Sequence, residues 1–130
     1  MERNDYVEKY LNAYKEMREA AIEKMKKYGK ELDVYAEVDK IIMKEQGYKS
    51  VDEIYDEDRD DKYWELYNCV VEGRHETVFC CRIIKVRYDK KENDLDVYLE
   101  DDNGEACGWY PHWDVAFDKD AIYMTVHKYL

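Results

Sequence analysis

"TVFCCRIIKVRYDKKENDLDVYLE", residues 77–100, is where the periodicity of this chain changes. Before it, apolar residues recur every three or four positions; within it they run together or alternate, which is the spacing of strands. "TVFCCRIIKVRY" (77–88) is β-branched and aromatic with a continuous apolar start, as a central strand requires. "DKKEND" turns the chain. "LDVYLE" (95–100) then alternates, directing Leu95, Val97 and Leu99 to a core and Asp96, Tyr98 and Glu100 away from it. "DDNG" (101–104) is a second turn signal and places a third strand at 105–110. Pro111 ends that strand, because proline has no N–H to give to a ladder.

Helices account for the chain on the N-terminal side. Over 4–28, Val7, Tyr10, Tyr14, Met17 and Ala21 form a stripe that Leu11 and Met25 widen, with Asn4 as cap and Gly29 as stop. Such a helix is ~37 Å long at 1.5 Å per residue, so it either overhangs a small domain or pairs with a copy of itself. A homodimer through helix 4–28 is therefore one reading. A second helix fits 31–46, with Leu32, Tyr35, Val38, Ile41 and Ile42 on one side and Gly47 after it. Ser50 and Glu53 have capping-box spacing, opening a short helix that runs into acidic residues. Tyr63, Trp64, Tyr67, Val70 and Val71 mark a further helix at 60–72, closed by Gly73.

At the C-terminal end, "DKDAIYMTVHKYL" fits two patterns. Ile122, Val126 and Tyr129 suit a helix capped by Asp118, whereas Ile122, Met124 and Val126 suit a strand. The helix is preferred. The whole reads as a single α+β domain over 1–130, helices first and then a small antiparallel meander (77–88, 95–100, 105–110), followed by a helix or strand.

Composition narrows the function classes. The first ten residues are charged and lack the apolar core of a secretory signal, and no stretch is apolar enough to span a bilayer. The expectation is a soluble, cytoplasmic protein with no membrane partner. Fourteen tyrosines against two phenylalanines supply rings that pack while their hydroxyls stay wet or bonded. Cys69, Cys80, Cys81 and Cys107 read as reduced thiols in that compartment. A zinc site from His75, Cys80, Cys107 and His112 lacks any CxxC or HxxxH pair, so neither a metal nor a cofactor is expected.

Charge is the distinctive feature. Residues 1–50 hold eleven basic and eleven acidic side chains, so the entire net charge of −11 resides in 51–130. It concentrates at 51–61, with seven acids and Arg59, and at 92–120, with ten acids and Lys119. Between them, 77–91 carries Arg82, Lys85, Arg87, Lys90 and Lys91 against Asp89 alone. Acidic surface at this density repels nucleic acid and attracts basic protein surfaces. Asp56, Asp58 and Asp60 begin like a calcium loop, but the required Gly and Glu positions hold Asp61 and Tyr67.

No nucleotide loop, metalloprotease motif or nucleophile elbow occurs, and the expectation is a protein without catalysis of its own. The nearest approach to a thiol-nucleophile set is Cys107, His112 and Asp114. "GWYPHWDVAF" (108–117) concentrates aromatics. Trp109 and Trp113 read first as closing the core over the sheet, and Trp109, Tyr110 and Trp113 second as a partner-contact patch.

The expected function is binding to a protein with a basic surface through Asp56, Glu57, Asp58, Asp60, Asp61, Glu100, Asp101 and Asp102. A specific form is an inhibitor or decoy that mimics nucleic-acid charge, as an antagonist of host defence would. The alternatives are a small-molecule or nucleotide-binding protein using Arg82, Arg87 and the Trp-rich loop, and an oligomeric structural protein built on the first helix.

Overall fold

A computed structural model describes residues 2–67, 82–101, 103–111 and 119–130. The order of elements is α1 (Glu2–Tyr28), β1 (Leu32–Asp33), α2 (Val34–Gln46), α3 (Asp56–Tyr67), β2 (Arg82–Asp89), β3 (Asp94–Glu100), β4 (Ala106–Pro111) and α4 (Lys119–Tyr129). The four strands form one antiparallel sheet in the order β1-β2-β3-β4. The mixed α+β architecture is the one the change of periodicity implies, and of the two readings of the C-terminal segment the helix is correct.

One face of the sheet carries the core. Ile83, Val86, Leu95 and Val97 are fully buried there, facing Ile22 and Met25 of α1, Val34, Val38 and Ile42 of α2, Tyr63 of α3, and Ile122, Tyr123 and Val126 of α4. Registers of Val86 with Val97 and of Ile83 with Leu99 keep these side chains together on that face. Arg18 of α1 reaches the β2–β3 turn, bonding the Asn93 carbonyl at 3.1 Å and the Asp94 carboxylate at 3.2 Å. The turn itself is set by Asp89, whose carboxylate accepts from the Lys91 N–H, and by Asn93 at φ 50°.

Several boundaries differ from expectation for local reasons. The helix expected at 31–46 starts at Val34, because Asp33 is extended and its carboxylate accepts the Ala36 N–H at 3.0 Å, making it the cap. Leu32 and Asp33 instead pair with Val86 and Lys85, adding a fourth strand that two residues were too short to announce. The helix expected at 60–72 starts at Asp56, since acidic side chains suit the positive end of a helix even where no apolar spacing marks it. Its continuation past Tyr67 lies outside the described residues, as do 77–81 of the first expected strand. The Ser50–Glu53 box does not form. Ser50 makes no side-chain cap, Val51–Glu53 is a single 3-10 turn, and Glu53 accepts the Lys49 N–H instead.

The long first helix is engaged unevenly. Ala21, Ile22 and Met25 are buried and Tyr14 and Met17 partly so, but Leu11 of the expected stripe is 55% exposed. Ile22, absent from that stripe, takes part in the core instead. Tyr14 bonds Tyr123 hydroxyl to hydroxyl at 3.1 Å and fixes α1 against α4.

Candidate functional site

Strand β1 pairs only with Val86 and Lys85, so among the described residues β2 has no strand neighbour on that side at Arg82 and Ile83. Helix α3 fills the space. The buried Tyr63 hydroxyl accepts the Ile83 N–H at 3.2 Å, satisfying a donor that a continued ladder would otherwise have taken. Beside it, Arg82 donates to Asp60 of α3 at 2.5 Å and lies 4.0 Å from Glu100 of β3. Its guanidinium is within 6 Å of the rings of Tyr35, Tyr63 and Trp64. Tyr35 in turn donates to Glu100 at 3.3 Å.

The electrostatics of this clasp follow from its enclosure. Burial works against the Arg82 charge, yet Asp60, Tyr35 and Glu100 outweigh it and raise the guanidinium above the ordinary arginine range. Burial, with Glu100 and Asp60, pushes the Tyr35 hydroxyl well above the tyrosine range despite Arg82. The clasp joins two acidic segments forty residues apart in sequence. It also gives Asp60 and Glu100 an internal cation, Glu100 being largely enclosed while the Asp60 side chain keeps 47% of its surface exposed.

The other predicted acids divide in the same way. Asp56 is bonded to Arg59 at 3.0 Å, and Arg59 also holds Asp39 through two parallel contacts of 2.6 and 3.2 Å. Asp101 folds its carboxylate onto the Asn103 and Glu105 N–H groups of its own turn. Asp102 lies outside the described residues. Glu57, Asp58 and Asp61 remain, exposed on α3 and without a cation in ion-pairing reach among the described residues.

Asp58 and Asp61 line a groove of about 260 Å³ between α2 and α3, together with Glu45, Glu65 and Lys62. Ile42 and Tyr48 give it an apolar wall. Lys62 is the single basic residue of the lining and bridges Glu45 at 2.8 Å and Glu65 at 3.3 Å. Those two contacts, Glu45 foremost, hold its ammonium above the ordinary lysine range. The groove can therefore receive a further cationic group. Glu45 and Glu65 were not anticipated, although Asp58, Asp61 and Glu65 stand at helical spacing and share a face. The helix also ends any likeness to a calcium loop, because successive residues turn by about 100° and Asp58 points away from Asp56 and Asp60. Among the described residues no group of three or more His, Cys, Asp or Glu is placed to hold a metal ion.

The aromatic cluster is split by the strand. Trp109 and Tyr110 are neighbours in β4 and occupy opposite faces, with Tyr110 packed against the core and Trp109 opposite Tyr98 on the far face. Trp109 is half-buried there, its ring edge-on to Tyr98 with centres 5.2 Å apart, and the Arg87 guanidinium 4.0 Å from its centre. It thus packs on the face of the sheet opposite Tyr110 and is not among the described residues of the main core. Arg87 bonds Asp96 at 3.1 Å, which explains why Asp96 is only 7% exposed although strand alternation directs it outward. Trp113, His112 and Asp114 lie outside the described residues, as do His75, Cys69, Cys80 and Cys81.

No helix among the described residues is long and apolar enough to cross a membrane. No protein-family model, curated protein or solved structure matches the chain.

Proposed function

We propose that this protein acts by binding a partner protein with a basic surface, and that the α2–α3 groove is where the partner's cationic side chains enter. The observation that carries this reading is the groove's composition: four carboxylates, from Glu45, Asp58, Asp61 and Glu65, around one lysine that two of them already share. Exposed Glu57 lies on the same helix, one turn from Asp61. A lysine or arginine inserted here gains charge-assisted hydrogen bonds and relieves repulsion among the acids. The finer form is a decoy, in which these carboxylates occupy a groove that otherwise takes nucleic-acid phosphates.

Arg82 and Arg87 weigh against the small-molecule alternative that relied on them. Arg82 is enclosed by its own acids and rings, with 13% of its side chain exposed, and Arg87 is bonded to Asp96.

The test is affinity capture from the native cell with the wild type and with a Glu57→Gln/Asp58→Asn/Asp61→Asn variant, which leaves the Asp60–Arg82–Glu100 clasp intact. The expected result is a basic protein retained by the wild type, released at high salt, and lost with the variant. For the decoy form, the captured partner should also lose its nucleic acid when this protein is added. Equal capture by wild type and variant would remove the groove from consideration.

A further inference from the structure

Helix α1 runs on past the elements it packs against. Toward its N-terminus, its last bonds to other elements among the described residues are those of Arg18 to the β2–β3 turn and of Tyr14 to Tyr123 of α4. Leu11 follows about one turn further out, 55% exposed and outside the core cluster. It stands about three turns before the buried Ile22, on the same side of the helix. The row that closes the core at one end of α1 therefore continues, uncovered, toward the other.

On this overhang Glu8, Leu11, Asn12, Lys15 and Glu19 stand at helical spacing and share one face, and all five are exposed. Glu8 has no ion pair among the described residues. Lys15 has a 3.9 Å contact to Glu19, with both side chains more than half exposed. In charge, α1 stands apart from the rest of the molecule. Its seven basic and six acidic side chains leave it at +1, whereas the whole chain is at −11. Two copies repel through their acidic remainder, yet can lie together along α1 without that opposition.

We infer that a second copy of this chain covers this face, with the two α1 helices antiparallel and a two-fold axis between Leu11 and Asn12. Glu8 of each copy then lies level with Lys15 of the other, and the two Leu11 side chains meet at the centre. A parallel pair would set Glu8 against Glu8 and Lys15 against Lys15, so the charges select the antiparallel one. Such an interface is isologous and closes at two copies. The matched stretch from Glu8 to Glu19 is about three turns long, which falls short of the ~800 Å² per partner of a standard interface. The pairing is therefore weak, formed at high protein concentration and released on dilution. It uses no residue of the α2–α3 groove, so the two readings stand or fall separately.

Sedimentation velocity over a micromolar-to-millimolar concentration series tests it, with the wild type, Glu8→Lys, Lys15→Glu and the double variant that exchanges the two charges. The wild type should pass from monomer to dimer and no further. Each single reversal sets like charges level at two places and should raise the concentration needed for the dimer by about tenfold. The double variant restores both pairs at the original net charge and should dimerise as the wild type does. Both positions are exposed, so melting temperatures of the dilute variants should match. A wild type that stays monomeric to millimolar concentration overturns the inference. So does a dimer indifferent to the single reversals, or one that the double variant fails to restore.

Discussion

Two buried tyrosines show how much depends on where a hydroxyl ends. The Tyr63 oxygen accepts the Ile83 N–H, while the equally enclosed Tyr129 oxygen has no partner among the described residues. Removing each by Tyr→Phe keeps the ring and changes one oxygen. Tyr63→Phe strands a buried backbone donor and should cost about 1–3 kcal/mol in urea unfolding. Tyr129→Phe removes an orphaned group and should leave stability unchanged or raise it by about 1 kcal/mol. Equal losses in the two variants would show that the ring environment, and not the hydrogen bond, sets the effect. Neither role was visible in sequence, where both residues are simply tyrosines at helical spacing.

At the scale of elements, α1 and α4 are joined by aromatic and polar contacts that titrate differently from the surface. His127 of α4 is held below the ordinary histidine range by burial and then by Lys24, against a hydrogen bond that its ring donates to the Met17 main-chain carbonyl. The unfolded chain therefore takes up a proton near pH 6.5 that the folded one resists, so this residue's contribution to stability falls as pH drops through and below that value. The difference between wild type and His127→Gln isolates the histidine from every other titrating group. The stability of wild type relative to the variant should be greater at pH 7.5 than at pH 5; a constant difference would remove His127 from the acid response.

The elements themselves were largely legible in the sequence, for reasons that show which ones were not. The alternation of "LDVYLE" and the turns on either side of it located β3 to within a residue. Helix starts were less readable. Those of α2 and α3 are set by a cap and by a helix dipole, and neither leaves a trace in hydrophobic spacing. Strand β1 exists only because β2 offers it an edge. The candidate groove was the least legible part, since it assembles residues from separate elements, Glu45 of α2 with Asp61 of α3. Composition could show that acids were in excess but not which were already paired. Asp60, Glu100 and Asp101 all have internal partners.

For the molecule as a whole, that sorting of paired from unpaired acids makes a prediction without any partner. Glu57, Asp58 and Asp61 repel one another and their groove neighbours, so the triple neutralisation should raise the thermal midpoint at low salt, with the gain shrinking as salt is added. Asp60→Asn should lower it, because Arg82 is then left enclosed with one acid fewer. A fall in both would mean that the α3 acids serve the fold as a set.

The uneven burial of α1 has one more outcome. From Glu8 to Glu16 the described side chains are exposed except Tyr14, so this length is a helix with little beneath it among the described residues, and isolated helices of that size are marginal in water. Amide hydrogen exchange read by mass spectrometry should divide α1 in two. Peptides covering residues 8–16 should take up deuterium within seconds, at rates indifferent to mutations that destabilise the core. Those covering 21–28 should exchange only through global opening and slow or quicken with it. On that view the first helix has a length that depends on when it is observed, and any ligand that shields its early turns would announce itself as a block of newly protected amides.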